Sequence, residues 1–199
     1  MIKNIIFDLG GVLVDLNKQR CIDSFDAIGF DASAYIGQYE QKGIFRDLEM
    51  GTITEKEFLE GIDCPATNEQ KRQAWTNFLV ALPEHRKQAI LDLRAQGYHT
   101  FLLSNTNSID WNFVLDNYIN TNGRTVSDYF EDVFLSYELH VTKPDPQIFI
   151  RSLEKAGLKA EETIFIDDSA KNCAAAESVG IKTLCAIGDE WLTRLAQCL

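Results

Sequence analysis

The sequence predicts an α/β fold in which a parallel sheet is covered by helices on both faces. Short apolar segments alternate with segments whose apolar residues recur at helical spacing, which is typical of such sheets. Polar residues directly follow several of the apolar segments, where strands would end. Residues 17–82 break this alternation because they contain only helical patterns. We therefore expect a sheet-forming core with a helical insert after its first strand.

Five strands are predicted from the apolar segments. The first ends at a glycine turn, Gly10-Gly11, and the second at Ser104. Ser136 follows the third strand, and Asp167 follows the fourth. In chain order, the predicted strands are 2–7, 98–103, 132–135, 163–166 and 182–187.

Helices between these strands have recognisable ends. Pro83 and Gly97 bracket the pattern 84–96, as expected because proline suits the start of a helix and glycine suits the position just past its end. Glycine also follows the patterns 146–156 and 169–179. Each helix therefore connects two strands, as a parallel sheet requires.

The insert contains two clear helical signals. Thr54 and Glu57 form a capping-box pattern, which predicts a helix start. Residues 68–82 carry apolar side chains at helical spacing and predict a second helix. The predicted domains are an α/β core of residues 1–16 and 83–199 and a helical cap of residues 17–82.

Composition narrows the classes of partner. The 199 residues carry a formal net charge of -11, so we expect binding neither to nucleic acid nor to an anionic membrane, which attract basic surfaces. The five cysteines lack CxxC spacing, which argues against a disulfide framework or a zinc site. No signal-peptide pattern or membrane-spanning apolar run is found. We expect a cytoplasmic protein, and its oligomeric state is left open.

The polar residues after the strands predict a reaction centre. Ligands bind beyond the carboxyl ends of strands in open parallel sheets. Asp8, Ser104, Lys143 and the pair Asp167-Asp168 all follow predicted strands. Clustered carboxylates remain ionised together when a cation lies among them, and oxygen ligands favour Mg²⁺. A phosphate could then approach Asp8, whose carboxylate would act as the nucleophile. Ser104 and backbone N–H groups would hold the phosphoryl oxygens.

Each of these residues also has an ordinary structural interpretation. Asp8 alone suits a turn or a helix cap, Ser104-Asn105 suits a cap, and Lys143 suits a solvated surface. The adjacent acids Asp167-Asp168 are harder to explain without a partner because they repel each other. The presence of all these residues in this order favours a site.

Four motifs resemble those of the haloacid dehalogenase-like hydrolases. They are Phe7-Asp8-Leu9-Gly10-Gly11-Val12-Leu13, Leu103-Ser104-Asn105, Lys143-Pro144 and Phe165-Ile166-Asp167-Asp168. The resemblance covers essentially the whole chain and implies a Rossmann-like five-stranded sheet with a small helical cap. Ser104-Asn105-Thr106-Asn107, Lys143-Pro144-Asp145-Pro146 and Glu49-Met50-Gly51 look most like a subgroup that contains sugar-phosphate phosphatases.

The resemblance also implies residue roles. Asp8 would be the nucleophile and a Mg²⁺ ligand, and Gly10 would offer its backbone carbonyl to the metal. Asp167 and Asp168 would complete the metal site. Ser104 and Lys143 would bind the phosphoryl group, with Asn105 beside them. The implied reaction is hydrolysis of a small phosphorylated metabolite, such as a sugar phosphate, through an aspartyl-phosphate.

One position departs from most phosphatases of the family. They carry a second aspartate two residues after the nucleophile as a general acid and base, but this chain has Gly10. General acid–base catalysis is commonly worth about 10²–10⁴ in rate. The gap predicts a slower enzyme, a good leaving group, or proton transfer by water or another residue. Asp15 is one candidate, although a role in fixing the hinge into the cap suits it better.

Three alternatives remain open. A metal-independent dehalogenase of the same superfamily would have little use for Asp167-Asp168, and a sugar-phosphate mutase is weakened by Gly10. A binding or regulatory protein that lost turnover would not need to keep the nucleophile, the lysine and both metal acids. The phosphatase interpretation accounts for all of these residues.

Residues of the cap are expected to select the substrate. Tyr39, Arg46 and Glu49 could face the site, although an ordinary helix surface is slightly favoured for each of them singly. Three aromatic residues are expected to pack in cores rather than against substrate: Trp75, Phe78 and Trp111. Of the three histidines, only His140 is near Lys143 in sequence.

Overall fold

The computed structural model describes all residues, Met1–Leu199, and contains the expected parallel sheet. Five strands pair side by side, and every pairing is parallel; their spatial order is β5 (Asp132–Leu135), β4 (His99–Ser104), β1 (Asn4–Phe7), β6 (Thr163–Asp167) and β7 (Lys182–Cys185). The fold class predicted from the sequence is therefore confirmed.

The register of the central strands determines which polar residues meet. Phe7 is paired with Leu102 on one side and with Ile166 on the other. Asp8 therefore leaves the sheet beside the ends of β4 and β6. This is the carboxyl-terminal edge, where a parallel sheet places its ligand site.

Helices cover both faces of the sheet because the buried strands alternate their side chains between the two sides. Ile5 and Phe7 join one apolar cluster, and Ile6 joins another on the opposite face. The helices of the core are α5 (Glu84–Ala95), α6 (Ser108–Val114), α7 (Val126–Tyr129), α8 (Ser136–Leu139), α9 (Pro146–Ala156), α10 (Ala170–Ser178) and α11 (Glu190–Arg194). Side chains of α5, α6 and α11 pack in the first cluster, and those of α9 and α10 pack in the second.

Four helices form the insert around an apolar cluster of their own. They are α1 (Lys18–Ala27), α2 (Gly43–Glu49), α3 (Glu55–Gly61) and α4 (Asn68–Thr76). Phe25, Phe45, Phe58 and Trp75 pack there edge to face or tilted, and Ile109 of α6 joins them from the core. The capping box predicted at Thr54 is present. The insert is thus a small helical unit that rests on α6.

One prediction for the insert was wrong. The expected helix 68–82 ends at Thr76, and Leu79–Ala81 forms a strand, β3. This strand pairs antiparallel with β2 (Asp15–Leu16), so the segments entering and leaving the insert lie side by side. The pairing joins residues more than sixty positions apart, and this non-local contact overrides the local helical pattern. The exact division of the chain into core and cap stays a prediction.

Several short helices were not predicted. Segments this short carry too few periodic positions to be predicted from the sequence. They include the π-helical turn Leu115–Ile119 and the 3₁₀ turns Ala160–Glu162 and Leu195–Gln197. None of the helices has both the length and the apolar character needed to cross a bilayer.

Candidate active site

Three carboxylates converge at the edge of the sheet. Asp8 follows β1, Asp167 ends β6, and Asp168 comes next in the chain. One oxygen of each lies within 4.8 Å of the others. Asp8 and Asp167 are buried, whereas Asp168 is partly exposed. The arrangement predicted from the strand ends is therefore present, and its donor set consists of oxygen atoms.

Lys143 supplies the positive charge at this edge. Its Nζ lies 2.7 Å from Asp8 Oδ1 and 2.7 Å from Asp167 Oδ2, and the side chain is almost fully buried. Asn105 clasps the backbone of the same lysine, since its Nδ2 donates to the Lys143 carbonyl at 2.9 Å and its Oδ1 accepts from the Lys143 N–H at 2.8 Å. Asn105 thereby joins the loop after β4 to the segment before α9.

The Asp167 carboxylate is held firmly from the other side. The Ser169 N–H donates to its Oδ1 at 2.8 Å, and Asn172 Nδ2 donates to both of its oxygens at 3.0 and 3.2 Å. Gly11 lets the turn after β1 approach Asp168, because it has φ of +78° and a Cβ there would overlap the Asp168 carboxylate. The glycine turn thus has a steric reason as well as a conformational one.

Burial shifts the acid–base properties of this cluster. It raises the pKa of Asp8 well above its ordinary value; Lys143 opposes the rise, while the charges of Asp167 and Asp168 add to it. Burial, together with the charge of Asp167, also raises the pKa of Asp168 to about 6. The pKa of Lys143 is raised by Asp167 and Asp8, against the effect of burial. One ammonium group therefore faces three carboxylates, and a further cation would favour ionised Asp8.

A small polar cavity of about 70 Å³ opens onto these groups. The predicted site residues that line it are Asp8, Gly10, Tyr39, Glu49, Asn105, Lys143 and Asp168. A wider cleft of about 500 Å³ adjoins it through Gln41, Glu49, Asn105 and Lys143 and reaches the exposed Arg46. The structure thus brings together residues of the core and of the insert around one opening.

Several predicted candidates do not line the small cavity, among them Asp167 and Arg46. Ser104 is 2% exposed, and its hydroxyl is 3.4 Å from the Asn105 carbonyl, so it lies behind the lining. Asp15 accepts from Arg86 Nη1 at 2.8 Å, which agrees with a role at the hinge. His140 Nδ1 lies 3.2 Å from the Met50 carbonyl and belongs to the contact between insert and core.

The large aromatic residues behave mostly as predicted. Trp75 and Trp111 are buried in apolar clusters. Phe78 stacks on Trp75 with ring centroids 6.0 Å apart, but it also lines the small cavity. Phe78 therefore contributes to the opening as well as to the apolar cluster of the insert.

Sequence patterns missed part of the lining. Gln38 and Gln41 come from the irregular segment before α2, and Asn172 comes from the first turn of α10. The position of Asn172 soon after Asp167-Asp168 was the one available signal, because the first turn of a helix that follows a strand faces the ligand edge. The two glutamines offered no signal, since a tertiary contact brings them over the cavity.

Ser136 connects the insert to the core at this point. Its hydroxyl is fully buried, lies 2.6 Å from the Glu49 carbonyl, and accepts from the Thr106 N–H at 2.9 Å. Nearby, Gly51 has φ of +63°, and a Cβ there would overlap the Tyr137 carbonyl. The segment Glu49-Met50-Gly51 therefore docks against the start of α8, which holds Glu49 over the cavity.

Known proteins share this architecture along the whole chain. A D-ribitol-5-phosphate phosphatase of Bacteroides thetaiotaomicron is 35% identical over 188 residues, which are 92% of this chain and 91% of that protein. A haloacid dehalogenase family enzyme of the same organism, solved as an aspartate-to-alanine variant with magnesium and inorganic phosphate, is 39% identical and has a TM-score of 0.93. That match covers 98% of this chain and 99% of the other.

A second solved structure, a HAD-like family hydrolase from Porphyromonas gingivalis, is 36% identical with a TM-score of 0.90 and covers 100% of this chain and 98% of the other. The sequence pattern that defines the haloacid dehalogenase-like hydrolases matches residues 2–180. With the aspartate cluster, the buried lysine and the helical insert all in place, this chain belongs to the haloacid dehalogenase-like hydrolase family.

Proposed function

We propose that this protein is a Mg²⁺-dependent phosphatase that attacks a small phosphate ester with the Asp8 carboxylate. The observation that carries the proposal is the position of Asp8, 2.7 Å from Lys143 Nζ and within 4.8 Å of Asp167 and Asp168 oxygens. A nucleophilic carboxylate, a buried cation and two further acids at one opening are what phosphoryl transfer through an aspartyl-phosphate requires.

The donor set fits a magnesium ion. Asp8 and Asp168 would hold it with the Gly10 backbone carbonyl, and Asp167 would complete the site. Oxygen donors suit Mg²⁺, which takes one or two carboxylates together with a phosphate. When bound, Mg²⁺ supplies positive charge against the carboxylates and the incoming phosphate. The solved relative that contains magnesium and inorganic phosphate supports this assignment.

The protein's own residues divide the reaction between them. Asp8 attacks phosphorus, and Lys143 stabilises charge on the phosphoryl oxygens from its position beside the nucleophile. Asn105 keeps Lys143 in place through its two hydrogen bonds and can also donate to the phosphoryl group. Ser104 would reach a phosphoryl oxygen by turning its hydroxyl from the Asn105 carbonyl.

The substrate is a small polar phosphate ester, such as a sugar or polyol phosphate. Amide and carboxyl groups of Gln41, Glu49 and Asn105 border the wider cleft, and Arg46 stands at its edge. Such groups match hydroxyl groups rather than an apolar chain. The relative named D-ribitol-5-phosphate phosphatase supports this class. Residues 17–82 would act as the cap that selects among such substrates.

Two alternative functions, an inactive binding protein and a dehalogenase, account less well for the site than a phosphatase does. An inactive binding protein has no need for the buried Lys143 with both of its carboxylate partners. A dehalogenase has no use for Asp168 within 4.8 Å of Asp8. Five free cysteines suit the reducing cytoplasm, where we place the protein.

Purified protein assayed against phosphorylated metabolites, with and without Mg²⁺, tests the proposal. The panel should include p-nitrophenyl phosphate, D-ribitol 5-phosphate and several sugar phosphates. We expect Mg²⁺-dependent release of inorganic phosphate. Full activity in excess chelator, or release from none of the esters, would refute the proposal.

A further inference from the structure

Glu49 presents an uncommitted carboxyl group to the site. It is the last residue of α2, is 7% exposed, and lines both the small cavity and the wider cleft. Its backbone is anchored through the Ser136 hydroxyl at 2.6 Å, but no group of the chain forms a hydrogen bond or ion pair with its carboxyl oxygens. A buried carboxyl group without a protein partner is costly unless it serves a ligand.

The reaction leaves a proton unassigned. Expulsion of an alkoxide from a phosphate ester needs an acid, and Gly10 has no side chain to supply one. Asp8 is occupied by the attack, and Lys143 is committed to two ion pairs. Tyr39 is 47% exposed, and its raised pKa makes it a weak proton donor. Among the residues of the insert, Glu49 is the remaining acid that lines the small cavity.

The surroundings of Glu49 keep its proton on at neutral pH. Burial raises its pKa to about 8; the Asp110 carboxylate adds to the rise, and Lys143 opposes it. An acid of this strength suits proton transfer near pH 7. The ionisable groups that line the two cavities with it, or that act on its pKa, are Asp8, Tyr39, Glu40, Lys42, Arg46, Asp110, Lys143 and Asp168. The helices packed against α2 add Glu55 of α3 and Tyr137 and Glu138 of α8.

We propose that Glu49 is the general acid and base of the reaction and replaces the side chain that Gly10 lacks. This inference rests on the proposed phosphatase function. The observations that carry it are the free carboxyl group of Glu49 on the lining of the same cavity as Asp8 and the anchoring of its backbone by Ser136.

Glu49 gives up its proton in the first step and regains one in the second. In the first, an Asp8 oxygen bonds to phosphorus, the bond from phosphorus to the leaving oxygen breaks, and the Glu49 proton passes to that oxygen to give an alcohol. In the second, water bonds to phosphorus, its proton passes to the Glu49 carboxylate, and the bond between phosphorus and Asp8 breaks. Inorganic phosphate leaves, and both side chains return to their starting states.

The test compares Glu49→Gln with wild type on esters whose leaving groups differ in acidity. Turnover of an alkyl phosphate should fall by about 10²–10⁴-fold, because an alkoxide leaves slowly without a proton. The single-turnover release of p-nitrophenol, which reports the first step alone, should fall far less, because p-nitrophenolate departs unaided. Steady-state turnover of p-nitrophenyl phosphate can still fall, because water attack in the second step loses its base. The alkaline limb of the pH–rate profile for the alkyl ester should also disappear.

Companion variants guard against a structural effect. Glu49→Asp keeps an acid and should retain more alkyl-phosphate turnover than Glu49→Gln. Glu60→Gln changes an exposed glutamate of α3 and should behave as wild type. Gly10→Asp in the Glu49→Gln background should restore alkyl-phosphate turnover. That position is open to aspartate, because Gly10 lies outside the left-handed region and a Cβ there meets only the flexible end of Leu16.

The outcomes separate this inference from the function beneath it. If wild type hydrolyses neither class of ester with Mg²⁺, the phosphatase proposal fails, and this inference fails with it. If wild type hydrolyses both and Glu49→Gln keeps its alkyl-phosphate turnover, the role of Glu49 is overturned while the phosphatase stands. Equal losses in the first step on both classes would also overturn it, because they would indicate positioning rather than proton transfer to the leaving group.

Discussion

Replacing Asp8 with asparagine should abolish turnover and yet stabilise the metal-free protein. The amide keeps the size of the side chain but cannot act as an anionic nucleophile. Loss of the nucleophile from a covalent mechanism costs on the order of 10⁶ in turnover in a well-studied hydrolase. We expect p-nitrophenyl phosphate hydrolysis by Asp8→Asn to fall at least 10⁴-fold, with no phosphoenzyme formed.

The effect on stability follows from the charges around Asp8. At an effective dielectric constant of about 20, ionised Asp8 is repelled by about 3.5 kcal/mol or more by each carboxylate within 4.8 Å. On the same scale, Lys143 at 2.7 Å attracts it by about 6 kcal/mol. These contributions nearly cancel, so the cost of burying the Asp8 charge decides whether Asp8→Asn raises or lowers the free energy of unfolding.

Burial disfavours ionised Asp8, as the raised pKa of this carboxyl group indicates. In asparagine form the side chain carries no charge, and Lys143 keeps its contact with Asp167 at 2.7 Å. We therefore expect the free energy of unfolding in chelator to rise by about 1 kcal/mol, or about 2–4 °C in Tm for a protein of this size. Added Mg²⁺ should stabilise the variant less than wild type, because one ligand is weakened.

Thermal unfolding in chelator and in Mg²⁺, together with steady-state turnover, measures both effects. Asp116→Asn is the matched control, since Asp116 is exposed and forms no ion pair. Turnover of Asp8→Asn close to that of wild type would refute the assignment of Asp8 as the nucleophile. A lower Tm of the variant in chelator would refute the charge balance, because it would show that the attraction to Lys143 outweighs repulsion and burial.

Three further predictions concern the turn after β1, the cap and a buried acid. Gly11→Ala should lower Mg²⁺ affinity and turnover by tenfold or more, because the added Cβ would overlap the Asp168 carboxylate and the residue has a φ of +78°. Gly10→Ala, the control, should fold normally. Mg²⁺ titration compares the two variants, and equal behaviour would contradict the steric argument. Arg46→Ala should change the order of kcat/KM among sugar phosphates more than the rate on p-nitrophenyl phosphate, because Arg46 lies at the edge of the wider cleft; a uniform loss would count against this. Burial raises the pKa of Asp110 to about 7, so the folded state holds this proton more tightly than the unfolded state, and stability is lost as the pH rises from about 4 to 7. Asp110→Asn should therefore reduce the fall of the free energy of unfolding with pH, to which one group contributes at most about 1.4 kcal/mol per pH unit. Denaturant titrations across that pH range measure the slope of the free energy against pH. An unchanged slope would contradict the raised pKa of Asp110.

Local patterns were sufficient to predict the core of the site. Apolar segments of strand length mark β1, β4 and β6, and the polar residue after each strand needs only the parallel sheet to reach a common edge. Asp8, Asp167 and Asp168 were thus predictable as neighbours before any coordinates. Lys143 was predicted at the same edge from its position after a strand, but its contacts with two of these acids are visible only in the structure.

Contacts over long sequence separations decided the rest. The strand Leu79–Ala81 has too few residues for a periodic signal and exists because it pairs with Asp15–Leu16. Gln41 and Asn172 reach the cavity from segments that offered no signal or a weak one. Ser104 followed its strand as predicted, yet its side chain lies behind the lining.

Local sequence patterns were enough to predict the fold class, the helical insert and the convergence of carboxylates at one edge, because strand periodicity and the polar residues after strands are local properties. Three features became visible only in the folded protein: Asp15 accepts from Arg86, Ser136 anchors the insert, and the carboxyl group of Glu49 has no protein partner at the cavity. These features depend on how the insert docks on the core. That docking is set by packing and hydrogen bonds between residues far apart in the chain, which no local pattern encodes.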